Sequence, residues 1–147
     1  MVDVQFRFRE DDAVNDPAVT VDAFGEQSNA TAVRIEPGDD ARDLLPFLDR
    51  LRLIEVNFPA WTDGRGYSSA RVLREAGYEG ELRAVGDVVI DMLGHLRRCG
   101  FDSLAPQHPL NPDDADAAFS RWDDVYQAAA DSIGAGGRQP IWAKRHG

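Results

Sequence analysis

The run Asp63-Gly64-Arg65-Gly66-Tyr67-Ser68 sets two glycines around an arginine, with an acid before them and a hydroxyl after. Residue types in that order could hold a small oxyanion. Gly64 and Gly66 permit positive φ, which would turn backbone N–H groups inward as a nest. A helix opening at Ser68 or Ser69 would add unpaired N–H groups and a partial positive charge. The anion-binding set is then Gly64, Arg65, Gly66, Tyr67, Ser68 and Arg71, with Arg83 closing the side from the next strand. Asp63 could orient Arg65 or receive a proton. The plainer alternative is a tight turn in which Arg65 caps carbonyls and Tyr67 packs on a sheet. Spacing does not separate the two. The segment is neither a Walker loop nor a dinucleotide fingerprint, because the third glycine and the Lys-Ser/Thr pair are missing.

Asp63, Asp87 and His108 are the acid–base candidates. Asp87 follows Gly86 and reads most simply as a helix cap, with Asp91 one turn further on. His108, in Gln107-His108-Pro109, falls at the carboxyl end of a strand, whereas His95 lies mid-helix between leucines. Cys99 follows two arginines, which favour the thiolate, but it ends a helix, where the dipole disfavours it. A buried, inert thiol is the simpler reading of Cys99. One cysteine excludes an internal disulfide, and no two histidines have ligand spacing, so no metal site is expected.

The elements that must position these groups follow from hydrophobic periodicity. Val4 to Phe8 alternates like a half-buried strand, and Val19 to Val21 could be another. Ala32 to Ile35 reads as a strand stopped by Pro37-Gly38. Leu44, Leu45, Phe47, Leu48 and Leu51 then recur at helical spacing. Asp40 or Asp43 could cap that helix, and Pro46 places its start near Asp43. Leu53 to Phe58 is a strand ended by Pro59, and a short helix from Ser68 or Ser69 ends before Gly77. Glu81 to Val85 is a strand, and Val89, Met92, Leu93 and Leu96 form the inner stripe of a helix closed by Gly100. Phe101 to Ala105 is a strand, after which Asn111-Pro112 opens a last helix lined by Ala115, Ala118, Phe119, Trp122, Val125, Tyr126 and Ala129.

Strand–helix alternation repeated four times predicts an α/β fold with a mainly parallel sheet, open and doubly wound or half-barrel-like. One domain is expected over residues 1–133. Residues 1–30 form an N-terminal β segment, residues 31–133 hold the strand–helix units, and residues 134–147 are a flexible tail. Ligands on such sheets favour the carboxyl ends of the strands. Those ends are Glu36-Pro37, Phe58 to Ser68, Gly86-Asp87 and Ala105 to His108.

The 147 residues carry a net charge of −10, which argues against a nucleic-acid partner. The charge is uneven. Residues 64–101 hold six arginines against five acids, while the flanking segments are strongly acidic. Lys144 is the single lysine, and arginine is the better residue for fixing a carboxylate, sulfate or phosphate. No apolar run approaches membrane-spanning length and the N-terminus lacks a secretory layout, so a cytoplasmic protein is expected. Exposed sheet edges predict a homodimer.

Residues 53–104 resemble a bacterial family of small uncharacterised proteins described as probable oxidoreductases involved in sulfite reduction. The resemblance rests on Phe58-Pro59, Thr62 to Ser68, Ala70-Arg71, Leu73-Arg74-Glu75, Gly80 to Ala84, Gly86-Asp87 and Arg98 to Phe101. It implies an accessory protein of assimilatory sulfate or sulfite reduction. Such a protein would bind a small oxyanion or a phosphorylated sulfur intermediate at residues 63–68. The alternative is a non-catalytic adaptor docking on sulfite reductase or its electron donor. Met92 stands where the family pattern suggests Gln, and residues 1–30 have no counterpart. The chain has no nicotinamide, flavin, haem or iron–sulfur motif, so no cofactor is expected, and a redox reaction would draw on a partner's.

Overall fold

The computed structural model describes residues 4–14, 16–26 and 29–120. These residues form an α/β fold around a six-stranded, mostly parallel sheet. Strands β1 (Phe6–Arg7), β2 (Val19–Thr20), β3 (Ala32–Ile35), β4 (Leu53–Phe58), β5 (Glu81–Gly86) and β6 (Ser103–Pro106) lie in the order β1-β6-β5-β4-β3-β2. From β2 to β6 each strand is parallel to its predecessor, and β1 closes the far edge antiparallel to β6. The N-terminal segment therefore supplies both edges of the sheet.

Because the parallel strands follow in sequence order, right-handed crossovers carry every connection over the same face. One core cluster shows this. It joins Val33, Ile35, Ile54, Val56, Leu82 and Leu104 of the sheet to five helical segments. These are α1 (Val21–Glu26), a 3₁₀ helix (Ala41–Arg50), α2 (Arg65–Glu75), α3 (Leu93–Arg98) and α4 at residues 112–120. The other face carries a small second cluster of Ala32 and Leu53, covered by Val14 and Ala18 of the N-terminal segment, with Val85 and Ala105 buried nearer the carboxyl ends.

Local chemistry explains where the elements depart from their sequence reading. The helix expected near Asp43 starts at Ala41, capped by Asp40, whose carboxylate accepts the Arg42 N–H at 3.0 Å. It is 3₁₀ throughout and contains Pro46, which has no N–H and whose ring would crowd an α-helical turn. Helix α1, unanticipated, is opened by the Thr20 hydroxyl accepting the Ala23 N–H at 3.1 Å. Gly77 and Gly100 end α2 and α3 with φ of 96° and 101°. Asn111 caps α4 through the Asp114 N–H. Trp122, Val125, Tyr126, Ala129 and the tail lie outside the described residues.

Strand alternation puts a charged row on the face away from the helices. Thr20, Arg34, Glu55, Arg83, Ser103 and Arg7 sit side by side across all six strands. Glu55, Glu81, Arg83 and Ser103 are buried. Glu81 accepts from Arg7 at 2.9 Å, Arg83 at 2.9 Å and Ser103 at 2.6 Å. Arg83 also reaches the Val14 carbonyl at 3.0 Å, fastening the N-terminal segment to the sheet. Burial opposes ionisation of Glu81, yet the hydrogen bonds from Arg7, Ser103 and Arg83 outweigh it and hold its carboxyl below the usual glutamate range.

A depressed folded-state value means this stabilisation is complete above the unfolded value of about 4.3 and is lost as pH falls through the folded one. Glu81→Gln should therefore unfold at lower urea at pH 7, by about 3 kcal/mol, because a buried pair loses one partner. Between pH 5 and 3 its stability should fall less steeply than that of the unaltered protein. Urea titrations across that range check both.

Candidate functional site

Two loops meet where β4 and β5 end. The Asp87 N–H donates to the Phe58 carbonyl at 2.7 Å, and the Asp87 carboxylate accepts the Trp61 N–H at 2.8 Å. Asp87 thus ties the 59–64 loop to the next strand end and caps no helix. The N-cap of the following 3₁₀ turn (Ile90–Met92) is Val89, whose N–H is met by the Met92 sulfur at 3.3 Å.

The Asp63–Ser68 run is the start of α2 rather than a long loop. Helix geometry begins at Arg65, three residues before Ser68, and Gly64 has φ −89°. Gly64 and Gly66 therefore form no positive-φ nest; Gly77, Gly86 and Gly100 hold the positive φ values of the described residues. Gly66 serves close packing: a Cβ there would stand 2.6–2.8 Å from Phe58 and Val56. Asp63 occupies the helix start. Its carboxylate accepts the Arg65 N–H at 3.1 Å and is clasped by the Arg65 guanidinium at 3.0 and 2.7 Å. The side-chain hydrogen bond from Arg65, aided by the backbone one, holds the Asp63 carboxyl down at about 2. It is an anion at neutral pH, seated where a bound anion would need to be.

Tyr67 packs on Phe58 and lies 4.2 Å from the His95 ring, centroid to centroid. Ser68 and Arg71 are exposed on α2. Arg83 is on the opposite face of the sheet, already engaged by Glu81, Ser103 and Val14, so it does not close this turn. His108 is exposed in the loop after β6. Hence Asp87 reaches the 59–64 loop, whereas Arg83 and His108 stand apart from the 63–68 helix start.

Gln107 and Pro109, on either side of His108, line a different place. A cavity of about 580 Å³ opens at the carboxyl ends of the strands on the charged-row side. Val85, Gly86, Ala105 and Pro106 line it from β5 and β6, and Arg34 and Asn57 from β3 and β4. Val4, Gln5, Gln107 and Pro109 complete it. Gln5 latches β1 to the last loop, donating to the Leu110 carbonyl at 2.7 Å and accepting its N–H at 2.8 Å. Asn57 donates to Glu36 at 2.7 Å. Gly86 has φ 93°, and a Cβ there would come 2.5 Å from both Asn57 Oδ1 and the Phe58 carbonyl.

Arg34 is the charged group of the cavity lining, and the sequence reading passed it over. The signal was alternation: Arg34 and Asn57 share the non-helical face with Glu55. Arg34 Nε and Nη2 lie 3.0 and 2.8 Å from one Glu55 oxygen. Its Nη1 makes no hydrogen bond to any described residue, and the side chain is 34% exposed. From Arg34 a chain of ion pairs runs through Glu55, Arg83, Glu81, Arg7, Asp11, Arg9 and Asp102 to Arg74. It begins and ends on arginine, so one positive charge is in excess. The Arg74 end is enclosed by the carbonyls of Tyr78, Gly80 and Gly100. The Arg34 end opens on the cavity.

A family model described as "Bacterial protein of unknown function (DUF934)" matches residues 32–141. The chain belongs to that family. The family match takes in Arg34, Asn57, Gly86 and Gln107, and leaves out β1, β2 and α1. No curated protein and no solved structure matches the chain. Among the described residues no group of three His, Cys, Asp or Glu side chains could hold a metal ion, and no helix is long and apolar enough to cross a membrane.

Cys99 is buried between α2 and α3, its sulfur 3.9 Å from His95 Nε2. Burial pushes its thiol up, against the pull of Arg71 and Arg98. Iodoacetamide at pH 8 should alkylate it at least about tenfold more slowly in the folded protein than in urea. A mass-spectrometric time course checks this. Gly86→Ala, which strains the backbone and displaces Asn57, should cost about 1–3 kcal/mol, measurable as a lowered urea midpoint.

Proposed function

We propose that this protein is a cytoplasmic accessory of assimilatory sulfate or sulfite reduction that binds a small, negatively charged ligand in the strand-end cavity. The metabolic assignment rests on the family resemblance. The binding assignment rests on one observation: Arg34, the charged side chain lining a cavity of ligand size, presents a guanidinium nitrogen with no hydrogen bond to any described residue. The helix start at 63–68 is the weaker location, because the Asp63 carboxylate already sits on it. The winding, with helical segments over one face, favours the half-barrel-like form of the fold, whose strand ends form an open bowl.

A second reading has its own support. Trp61 is 54% exposed on the loop that Asp87 pins in place. A rigidly held aromatic of that kind suits an adaptor docking on sulfite reductase or its electron donor.

Anion-dependent thermal stability tests the first reading. Sulfate, sulfite, phosphate, adenylylated sulfate and simple carboxylates are compared with chloride at matched ionic strength. At least one should raise the melting temperature beyond chloride, by linkage. Arg34→Ala should remove that excess, a charged hydrogen bond being worth about 1.5–3 kcal/mol, while Arg65→Ala keeps it. If no anion protects, and a Trp61-dependent complex with sulfite reductase forms instead, the adaptor reading replaces it.

A further inference from the structure

We infer that the strand-end cavity takes a small organic monocarboxylate, its carboxylate on Arg34 and its body against Pro106 and Pro109, in preference to sulfate or phosphate. The inference rests on the reading that this cavity is the ligand site. Charge, donors and size each point the same way.

The ion-pair chain holds one more arginine than acid, and its Arg34 end is the one that opens on the cavity. Glu36, held by Asn57, stands two residues further on, just past the end of β3, with no arginine in ion-pair contact among the described residues. A monoanion brings the least negative charge beside Glu55 and Glu36. A dianion would bring a second negative charge toward Glu36 and Glu55 in a half-buried place.

Tetrahedral oxyanions are held at strand ends by several backbone N–H groups pointing at one spot. Here those groups are turned inward. The Asp87 N–H goes to the Phe58 carbonyl, those of Val88 and Gln107 to the Gly86 carbonyl, and that of Leu110 to Gln5 Oε1. The Asn57 amide donates to Glu36. The charged donor of the lining is the planar edge of the Arg34 guanidinium, which suits the two coplanar oxygens of a carboxylate, with the exposed Gln107 amide beside it.

The space is far larger than an inorganic anion, and its accessible wall includes the apolar Val4, Pro106 and Pro109, backed by the buried Val85 and Ala105. Sulfate would keep most of its water there. A short-chain or aromatic acid places hydrocarbon on that wall and its charge on Arg34.

Isothermal titration of the full chain with acetate, propanoate, 3-methylbutanoate, benzoate and phenylacetate, beside sulfate and phosphate at matched ionic strength, tests this. Affinity should rise from acetate to the larger acids, and benzamide, the uncharged counterpart of benzoate, should bind at least about tenfold more weakly than benzoate. Arg34→Gln should weaken the carboxylates by about tenfold or more. Arg34→Lys, which keeps the charge and so the pairing with Glu55, should still lose several-fold. If sulfate or phosphate binds as tightly as any carboxylate and depends on Arg34, the cavity is an anion site but the ligand class is wrong. Carboxylate binding undiminished in both Arg34 variants, or benzamide equal to benzoate, also overturns the inference. If no anion of either kind binds, the cavity is no ligand site and the reading beneath the inference falls with it.

Discussion

A sheet whose parallel strands follow one another in sequence order leaves one face without helices, and that asymmetry governs the rest of the molecule. Right-handed crossovers have no second side to use when the order never reverses. The helical face can be built from Val, Ile, Leu and Phe. Among the described residues the other has only the N-terminal segment to cover it, and a wholly apolar surface there would remain partly wet. The row Arg34, Glu55, Arg83, Ser103 and Arg7 answers that constraint with side chains that pair among themselves. Arginine suits the task because its planar fork serves several acceptors at once, as Arg83 does with Glu81, Ser103 and the Val14 carbonyl. Part of the arginine-rich composition of the middle of the chain is structural.

The same row makes the cavity chemically particular. Toward the amino ends of the strands the face is closed by Val14 and Ala18 over Ala32 and Leu53. Toward the carboxyl ends it opens between β1 and β3, where Arg34 is the last member of the chain of pairs. Positioning follows from burial: Glu55 is fixed between Arg34 and Arg83, so Arg34 is held by a partner that cannot move away. Gly86 contributes by what it lacks, since any Cβ would displace Asn57 and the end of β4. The loop amides are used to tie strand ends together, which stiffens the rim while withdrawing the donors that a phosphate site would require.

The 63–68 segment shows how a plausible motif can resolve into packing. Glycine, arginine and aspartate at a strand end meet the chemical description of an anion nest, but Gly66 lies against Phe58 and Val56, and Asp63 takes the helix start for itself. A helix that begins three residues earlier than its serines suggested converts the loop into a first turn. Asp63 and Arg65, two residues apart, then satisfy each other. The loop before them still has a role in the architecture, because Asp87 anchors it and leaves Trp61 projecting.

Period-two and period-3.6 patterns in the sequence by themselves determined the α/β class, the four central strands, the glycine stops after α2 and α3, and the Asn111 cap, because each depends on a few neighbouring residues. The carboxyl ends of the strands were legible for the same reason. What only the tertiary structure decided is which residues from different strands share a face and a level. Arg34, Glu55 and Arg83 are each separated by more than twenty positions in the chain, and nothing local to any of them announces the register that sets them side by side. The two short N-terminal strands were legible as segments, but their places at opposite edges of the sheet were not, and the 3₁₀ winding around Pro46 reflects packing on the sheet as much as local propensity. Arg83 illustrates the division: its place within a strand could be read from the sequence, but the face it occupies depends on pairing with neighbours that only the folded sheet provides.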